Sequence, residues 1–181
     1  DPVSGMAPDR TTSPPAAATV GGTGFAVMAM VVAAERGFVN RRAAAERIAR
    51  IVDHLERCER YHGVFPHWLD GRTGRTIPFG PLDDGGDLVE TALLVQGMIC
   101  AREYFAAETE AERALRADIQ GLVDAVDWNW YTRDSLTLYW HWSKTHGWKM
   151  NIPIAGWNEA LVAYVLAAGA RREPITRDVF Y

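Results

Sequence analysis

The sequence has few of the features that mark a disulfide-rich protein. Of its 181 residues only two are cysteine, Cys58 and Cys100. Cys58 falls near the end of one predicted helix and Cys100 well inside the next, so antiparallel packing would hold them on the order of 15 Å or more apart. We therefore expect no disulfide, and the cysteines do not indicate a cellular compartment.

Long hydrophobic runs are also missing. The longest uninterrupted apolar stretch, Phe25 to Ala34, has ten residues, whereas a membrane-spanning helix needs roughly 20. This stretch predicts a buried core helix, and we expect no membrane insertion by this chain.

Excess positive charge is absent as well. The formal net charge is −4, and the arginines are scattered through amphipathic segments, which is typical of a solvated helix face and argues against nucleic acid as a partner. The turn Gly21-Gly22-Thr23-Gly24 has no Lys-Ser/Thr after it and no predicted strand before it, so a nucleotide site is excluded. We interpret it as a tight turn at the start of a closely packed helix.

The histidines show no metal-binding pattern. His62, His67, His141 and His146 lack the short spacing of ligands on one helix or loop. We therefore predict no metal and no cofactor.

Hydrophobic periodicity predicts five helices, at about 24–36, 41–60, 87–105, 108–126 and 157–168. The second helix is capped by Asn40. The first 19 residues, rich in proline, predict an extended loop. Two long loops, 61–82 and 127–155, separate the helices, and turn signals at Asp70-Gly71 and Thr73-Gly74 predict a short hairpin in the first of them.

The predicted helices alternate in character along the chain. The first, third and fifth are apolar almost all round, and the second and fourth are amphipathic. This alternation predicts an all-α fold of the α/α barrel or toroid type, with inner and outer helices, in which the starts of the inner helices converge at one end. A helical solenoid is the competing interpretation, but no repeat between helix pairs supports it.

Carboxylates are concentrated at the start of the third helix, which is otherwise apolar. They are Asp83, Asp84, Asp87 and Glu90. Asp84 or Asp87 alone could be a simple N-cap, but capping does not explain Glu90, which lies a turn deeper. A buried acid is costly unless it is paired or used, so Asp87 and Glu90 predict a functional site.

A second acid, Glu159, is placed by its sequence in the first turn of the apolar fifth helix. If the inner helices converge, Glu159 faces Asp87 and Glu90. Two acids on neighbouring helices are the arrangement for glycoside hydrolysis, in which one protonates the leaving oxygen and the other activates water or attacks the sugar.

Tryptophan is concentrated around the two long loops. Six of the seven tryptophans lie in those loops, and Trp157 stands before the fifth helix. Aromatic faces stack on sugar rings, and interleaved polar side chains bind hydroxyls. Packing is the alternative role, which we expect for about half of them, and the alternation in Tyr139-Trp140-His141-Trp142 predicts a strand.

Several motifs in order resemble the glucoamylase-like family that includes bacterial endo-β-1,2-glucanases and the glycosidase-type region of cyclic β-1,2-glucan synthases. The motifs are Pro2-Val3-Ser4-Gly5-Met6-Ala7, Gly21-Gly22-Thr23-Gly24-Phe25, His62-Gly63-Val64-Phe65-Pro66-His67-Trp68, Asp83 to Thr91, Tyr139-Trp140-His141-Trp142-Ser143 and Gly156-Trp157-Asn158-Glu159. The resemblance implies an (α/α)6 barrel with essential acids at the positions of Asp83, Asp87, Glu90 and Glu159.

The resemblance implies hydrolysis or transglycosylation of β-glucan, most simply β-1,2-glucan. It also implies a protein that is periplasmic or secreted, or that is part of a membrane-associated synthase. A non-catalytic glucan-binding or degenerate barrel fragment is the alternative. Substrate-binding residues are then expected at His67, Trp68, Trp140, His141, Trp142, Trp157, Asn158 and Arg10.

The length departs from that family pattern. Such a barrel has about twelve helices, and the chain supplies five, so residues 1–181 predict one catalytic domain truncated at both ends, with apolar helix faces exposed. Within it we expect burial and the Asp87 charge to raise the pKa of Glu90, making it the general acid, and Glu159 to be the base or nucleophile.

Overall fold

The computed structural model describes residues 1–12 and 17–179. Its helices are α1 (Val20–Glu35), α2 (Arg41–Glu56), α3 (Leu88–Tyr104), α4 (Glu110–Asp124) and α5 (Leu161–Ala168). Its short strands are β1 (Ala17–Thr19), β2 (Trp68–Asp70), β3 (Thr76–Ile77), β4 (Gly86–Asp87) and β5 (His141–Trp142). The chain is therefore mainly helical, as predicted.

The helices form two layers. In one layer α1 packs against α3 and α3 against α5, and in the other α2 packs against α4. The outer helices contribute one apolar side each to a shared core, formed by Ile48, Ile51 and Leu55 of α2 and by Leu115, Ile119 and Leu122 of α4. This arrangement confirms the alternation of inner and outer helices in an α/α barrel type of fold.

Some helix limits differ from the prediction. Helix α1 begins at Val20, so the glycine-rich segment is its first turn and not a turn before it. Helix α2 ends at Glu56, because Glu59 N–H already donates to Gly74 O of the hairpin at 2.9 Å. Helix α5 begins only at Leu161, since Asn158 Oδ1 accepts from Ala160 N at 3.0 Å and this local bond competes with a helical turn.

The prediction that α1 is buried all round was wrong. Phe25 is 55 % exposed and Val32 is 58 % exposed on α1, and Val165 of α5 is 65 % exposed. These positions lie on inner-layer helices, so the expected exposure of apolar inner faces is confirmed.

Two small sheets connect the loops to the helices. One has the strand order β1-β2-β3, which confirms the predicted hairpin, and the other pairs β4 with β5. The first 19 residues are therefore not wholly irregular, because β1 pairs with Trp68–Asp70; Pro14 and Pro15 of that predicted loop lie outside the described residues. The strand predicted at 139–142 is limited to His141 and Trp142.

The structure also bears on the two expectations of no disulfide and no membrane-spanning helix. Cys58 is buried, Cys100 is exposed, and both are free thiols. Within residues 1–12 and 17–179, every helix falls short of the length and hydrophobicity that crossing a membrane requires.

The closest approach of α1 and α3 depends on glycine. A Cβ atom added at Gly97 would lie 2.2 Å from Gly24 O. Replacing Gly97 by alanine is expected to lower the free energy of unfolding by about 1–3 kcal/mol, because backbone atoms must separate. In Gly121→Ala on α4 the added Cβ meets nothing within 4 Å, so that control should gain about 1 kcal/mol from helix propensity. Chemical denaturation measures both, and equal stability of the two variants would contradict this account of the α1–α3 contact.

Candidate active site

Asp87 anchors the site at the start of α3. Strand pairing places it opposite His141. Its Oδ1 accepts from Glu90 N at 2.9 Å, and its Oδ2 lies 3.0 Å from His67 Nδ1. The bond from Glu90 N makes Asp87 the N-cap of the helix, and the other oxygen fixes His67. Asp87 is only 1 % exposed.

Glu90 is held by the beginning of another helix. Its Oε2 accepts from Gly21 N at 2.7 Å and from the Thr19 hydroxyl at 3.3 Å. A Cβ atom at Gly21 would lie 2.7 Å from that same oxygen, so only glycine permits this approach. The Glu90 carboxyl group therefore lies at the N-terminal ends of both α1 and α3, where the helix dipole favours negative charge.

The pKa of Glu90 is nevertheless raised, as predicted. Burial is the main cause and the nearby Asp87 charge adds to it, whereas His67, Gly21 N–H and the Thr19 hydroxyl oppose the shift. Both donors act on Oε2. A proton on this carboxyl group therefore belongs on Oε1, for which the described residues provide no hydrogen-bond donor.

Asp83 and His141 form a second buried pair beside Asp87. Asp83 Oδ1 lies 3.4 Å from His141 Nε2, which also accepts from Gly85 N at 3.1 Å. Burial raises the pKa of Asp83 to about 6, helped by the Asp87 charge. Burial also lowers the pKa of His141. A neutral imidazole accepts the Gly85 bond at Nε2, and the buried Nδ1 is then left without a hydrogen-bond partner among the described residues.

His67 has the opposite electrostatic setting. Burial by itself lowers its pKa, but the hydrogen bond that His67 donates to Asp87 and the charges of Glu90, Asp87 and Asp83 outweigh burial, and the pKa is raised. Among the described residues, His67, Asp83 and Asp87 form a group whose ligand atoms lie within 4.8 Å of one another. These three could bind a cation, which would compete with the hydrogen bond that joins His67 to Asp87.

A cavity of about 400 Å³ brings both predicted glutamates together. Glu90, Asp87 and His67 line it together with Glu159, Asn158 and Trp140. Apolar residues, among them Val89 and Ile152, complete its wall. The cavity therefore has the acids, a histidine, an amide and an aromatic ring that sugar binding requires.

Glu159 reaches this cavity in a way that the sequence did not predict. It is exposed and precedes α5, which begins at Leu161, so its predicted place in a buried first turn was wrong. The Asn158 side chain donates to Ala155 O at 3.1 Å and shapes the turn that carries Glu159.

The other predicted binding residues do not line this cavity. His141 is 2 % exposed and is held by Gly85 and Asp83, as described above. Trp68 packs edge-on against Phe79, Trp142 against Tyr61 and His62, and Trp157 is 89 % exposed. Arg10 forms an ion pair with Asp9 at 2.8 Å.

Sequence reasoning missed Thr19 and Gly21, which hold Glu90. The available signal was the glycine-rich segment 21–24, which was interpreted as a tight turn with close helix packing. Its convergence with the start of the third helix was expected, but a direct bond from Gly21 to Glu90 was not. Nothing in the spacing between residues 21 and 90 indicates contact, because that contact depends on how α1 and α3 dock.

Asp83 predicts an unusual pH dependence of stability. Its pKa in the folded chain, about 6, lies above the value of about 3.9 in an unfolded chain. Its protonated form thus stabilises the fold below about pH 4, and that contribution is lost as the pH rises through about 6. The difference in melting temperature, Asp83→Asn minus the unsubstituted protein, should therefore become more positive as the pH is raised from 4 to 7.5. A difference that stays constant across this range would contradict the burial of an ionisable Asp83.

No protein-family model matches the chain. A curated relative, the exo β-1,2-glucooligosaccharide sophorohydrolase (non-reducing end) of Parabacteroides distasonis, is 40 % identical over 184 aligned residues that cover 100 % of this chain. The chain spans only 26 % of that relative's length.

Solved structures agree with this resemblance. The endo-β-1,2-glucanase from Chitinophaga pinensis, in complex with sophorotriose and glucose, is 46 % identical with a TM-score of 0.95, and the match covers 98 % of this chain and 44 % of that one. A Bacteroides uniformis protein provisionally described as a glucoamylase is 42 % identical with a TM-score of 0.97, over 99 % of this chain and 44 % of that one. The resemblance to β-1,2-glucanases and glucoamylase-like proteins is therefore confirmed.

Proposed function

We propose that the complete protein hydrolyses β-1,2-glucosidic bonds in glucan. The observation that carries this proposal is that Glu90 and Glu159 line one and the same cavity. Paired carboxylates on one cleft are the usual machinery of glycoside hydrolysis. The similarity to β-1,2-glucan hydrolases supports the linkage, although this chain spans less than half of each of those relatives.

Glu90 is the general acid in this proposal. Burial raises its pKa, so a larger fraction of Glu90 is protonated near neutral pH than of an exposed glutamate. With Oε2 occupied by Gly21 and Thr19, Oε1 carries the proton to the glycosidic oxygen. Asp87 positions this acid through its bond to Glu90 N and orients His67 at the cavity wall.

Glu159 supplies the second carboxylate, as base or nucleophile. It is exposed at the cavity, where water and substrate can reach it. Trp140 and Asn158 on the same wall provide an aromatic face and an amide for the sugar rings.

Digestion of linear β-1,2-glucan by the complete protein, followed by oligosaccharide chromatography, tests the proposal. New short oligosaccharides are expected, and none from β-1,3- or β-1,4-glucan under the same conditions. Binding of β-1,2-glucan without any new product would refute hydrolysis and favour the alternative, a non-catalytic glucan-binding fragment.

The domain assignment and location stay predictions. We propose that residues 1–181 form part of one catalytic domain. We also propose that the protein is periplasmic or secreted, or part of a membrane-associated synthase, because the resemblance implies these locations. Cell fractionation with an antibody against the chain checks the location, and recovery in the cytoplasm would contradict it.

A further inference from the structure

A second polar cavity, of about 430 Å³, lies between the loop after α4 and the segment after α5. Its lining shares no residue with the cavity of Glu90 and Glu159. The lining residues are Asp127, Asn129, Trp130, Arg133, Asp134, Trp148 and Glu173.

Trp130 is the platform of this cavity. Its ring stacks on the His62 imidazole with centroids 3.8 Å apart and planes 14° from parallel. It also meets Trp148 at 6.2 Å. Although His62 covers one face, Trp130 is still 39 % exposed. The ring is therefore fixed in position while part of its surface is open, which is the preorganisation that a stacking ligand needs.

The charges around Trp130 favour a neutral polyhydroxyl ligand. Three carboxylates, those of Asp127, Asp134 and Glu173, line the cavity together with one guanidinium group, that of Arg133. Arg133 is already engaged, since it donates to Asn151 Oδ1 at 2.6 Å and lies 4.4 Å over the Tyr139 ring. An anionic ligand would be repelled, whereas carboxylates accept hydrogen bonds from pairs of sugar hydroxyls.

The backbone around the cavity supports a built site. Arg133 has φ 54° and Glu173 has φ 48°, both in the left-handed region that these residues rarely adopt. Strained conformations of this kind cluster at ligand sites. Here they occur on both of the segments that line the cavity.

We propose that this cavity is a second sugar-binding site, which holds a glucose unit of the glucan chain against Trp130 away from the site of cleavage. The inference rests on the proposed function for the identity of the glycan. Trp142 separates the two sites: its ring contacts Trp130 at 6.0 Å, and its strand β5 pairs with β4, which ends at Asp87. A polymer is thereby held at two points, and a short oligosaccharide is not.

Two variants of the complete protein test this site. Trp130→Ala removes the platform, and Asp134→Asn removes one carboxylate but keeps the shape, because asparagine tolerates the left-handed φ of 57° at this position. Phe38→Ala is the matched control, since Phe38 is 79 % exposed and lies in neither cavity.

Affinity electrophoresis in gels that contain linear β-1,2-glucan is the first readout, and kcat/KM for a β-1,2-linked glucose trisaccharide is the second. Trp130→Ala should weaken retention by at least about five-fold and Asp134→Asn by at least about two-fold, with trisaccharide turnover within about two-fold of the unsubstituted protein. Phe38→Ala should change neither.

Unchanged retention in both site variants would overturn the second site, while hydrolysis by the unsubstituted protein would still uphold the proposed function. Loss of trisaccharide turnover in well-folded Asp134→Asn would also overturn it, by placing the cavity within the cleavage site. Retention that depends on Trp130 in a protein that cleaves no glucan would refute the proposed function and leave the second site standing.

Discussion

Replacing Glu90 by glutamine is expected to reduce kcat on β-1,2-glucan by about two to four powers of ten, with the affinity for glucan largely unchanged. Glutamine keeps an oxygen that accepts from Gly21 N–H and the Thr19 hydroxyl, the partners of Oε2, so the side chain stays in place. It loses the proton that Oε1 would transfer. Steady-state kinetics and glucan binding by calorimetry separate the two effects.

Glu103→Gln is the matched control, because Glu103 is on the same helix but is exposed and paired with Arg102. It should keep normal turnover. If Glu90→Gln retained near-normal activity while Asp87→Asn lost it, the general acid would be Asp87, and the assignment of the proton to Glu90 would be wrong.

Replacing Gly21 by alanine is expected to lower kcat on the order of 10²-fold. The new Cβ would lie 2.7 Å from Glu90 Oε2, so the carboxyl group must move away from the Gly21 N–H that holds it. A displacement of about 1 Å in a reacting group is enough for an effect of this size. The pH profile of kcat should shift as well, because the hydrogen bonds to Oε2 oppose the raised pKa of Glu90.

Gly121→Ala is the control for the loss of a glycine within a helix, and it should leave kcat unchanged. A purely structural role for Gly21 would lower the melting temperature without shifting the pH profile. A Gly21→Ala variant with normal kcat and an unshifted pH profile would contradict the proposal that Gly21 positions Glu90.

Local sequence patterns predicted the helices well, because α2 and α4 have an amphipathic periodicity, α1, α3 and α5 are apolar segments, and α2 and α3 have their own caps. Asn40 accepts from Arg42 N at 2.9 Å, and Asp87 caps α3 as its sequence position indicated. The acids at the start of α3 were recognisable because acidic residues are almost never fully buried unless they are paired. Glu90 and Glu159 line the same cavity, in agreement with the predicted convergence of the helix starts, and their catalytic roles stay predictions.

The failed predictions have one local cause and two causes that involve contacts between distant parts of the chain. Glu159 was placed in a helix because residues 157–168 are apolar, but the Asn158 side chain bonds to the local backbone and delays the helix to Leu161. His141 was expected to bind sugar, but strand pairing turns it toward the buried Gly85 N–H. The role of Gly21 requires the docked position of α3, which no local pattern contains.

The most direct test of the central claim is a crystal structure of the complete Glu90→Gln protein with a β-1,2-linked glucose oligosaccharide. We expect a glycosidic oxygen within about 2.6–3.2 Å of the residue 90 side chain, with Glu159 beside the anomeric carbon of the same bond. An oligosaccharide bound in this cavity with its glycosidic oxygens far from residue 90, or with Glu159 directed away from the sugar, would contradict it.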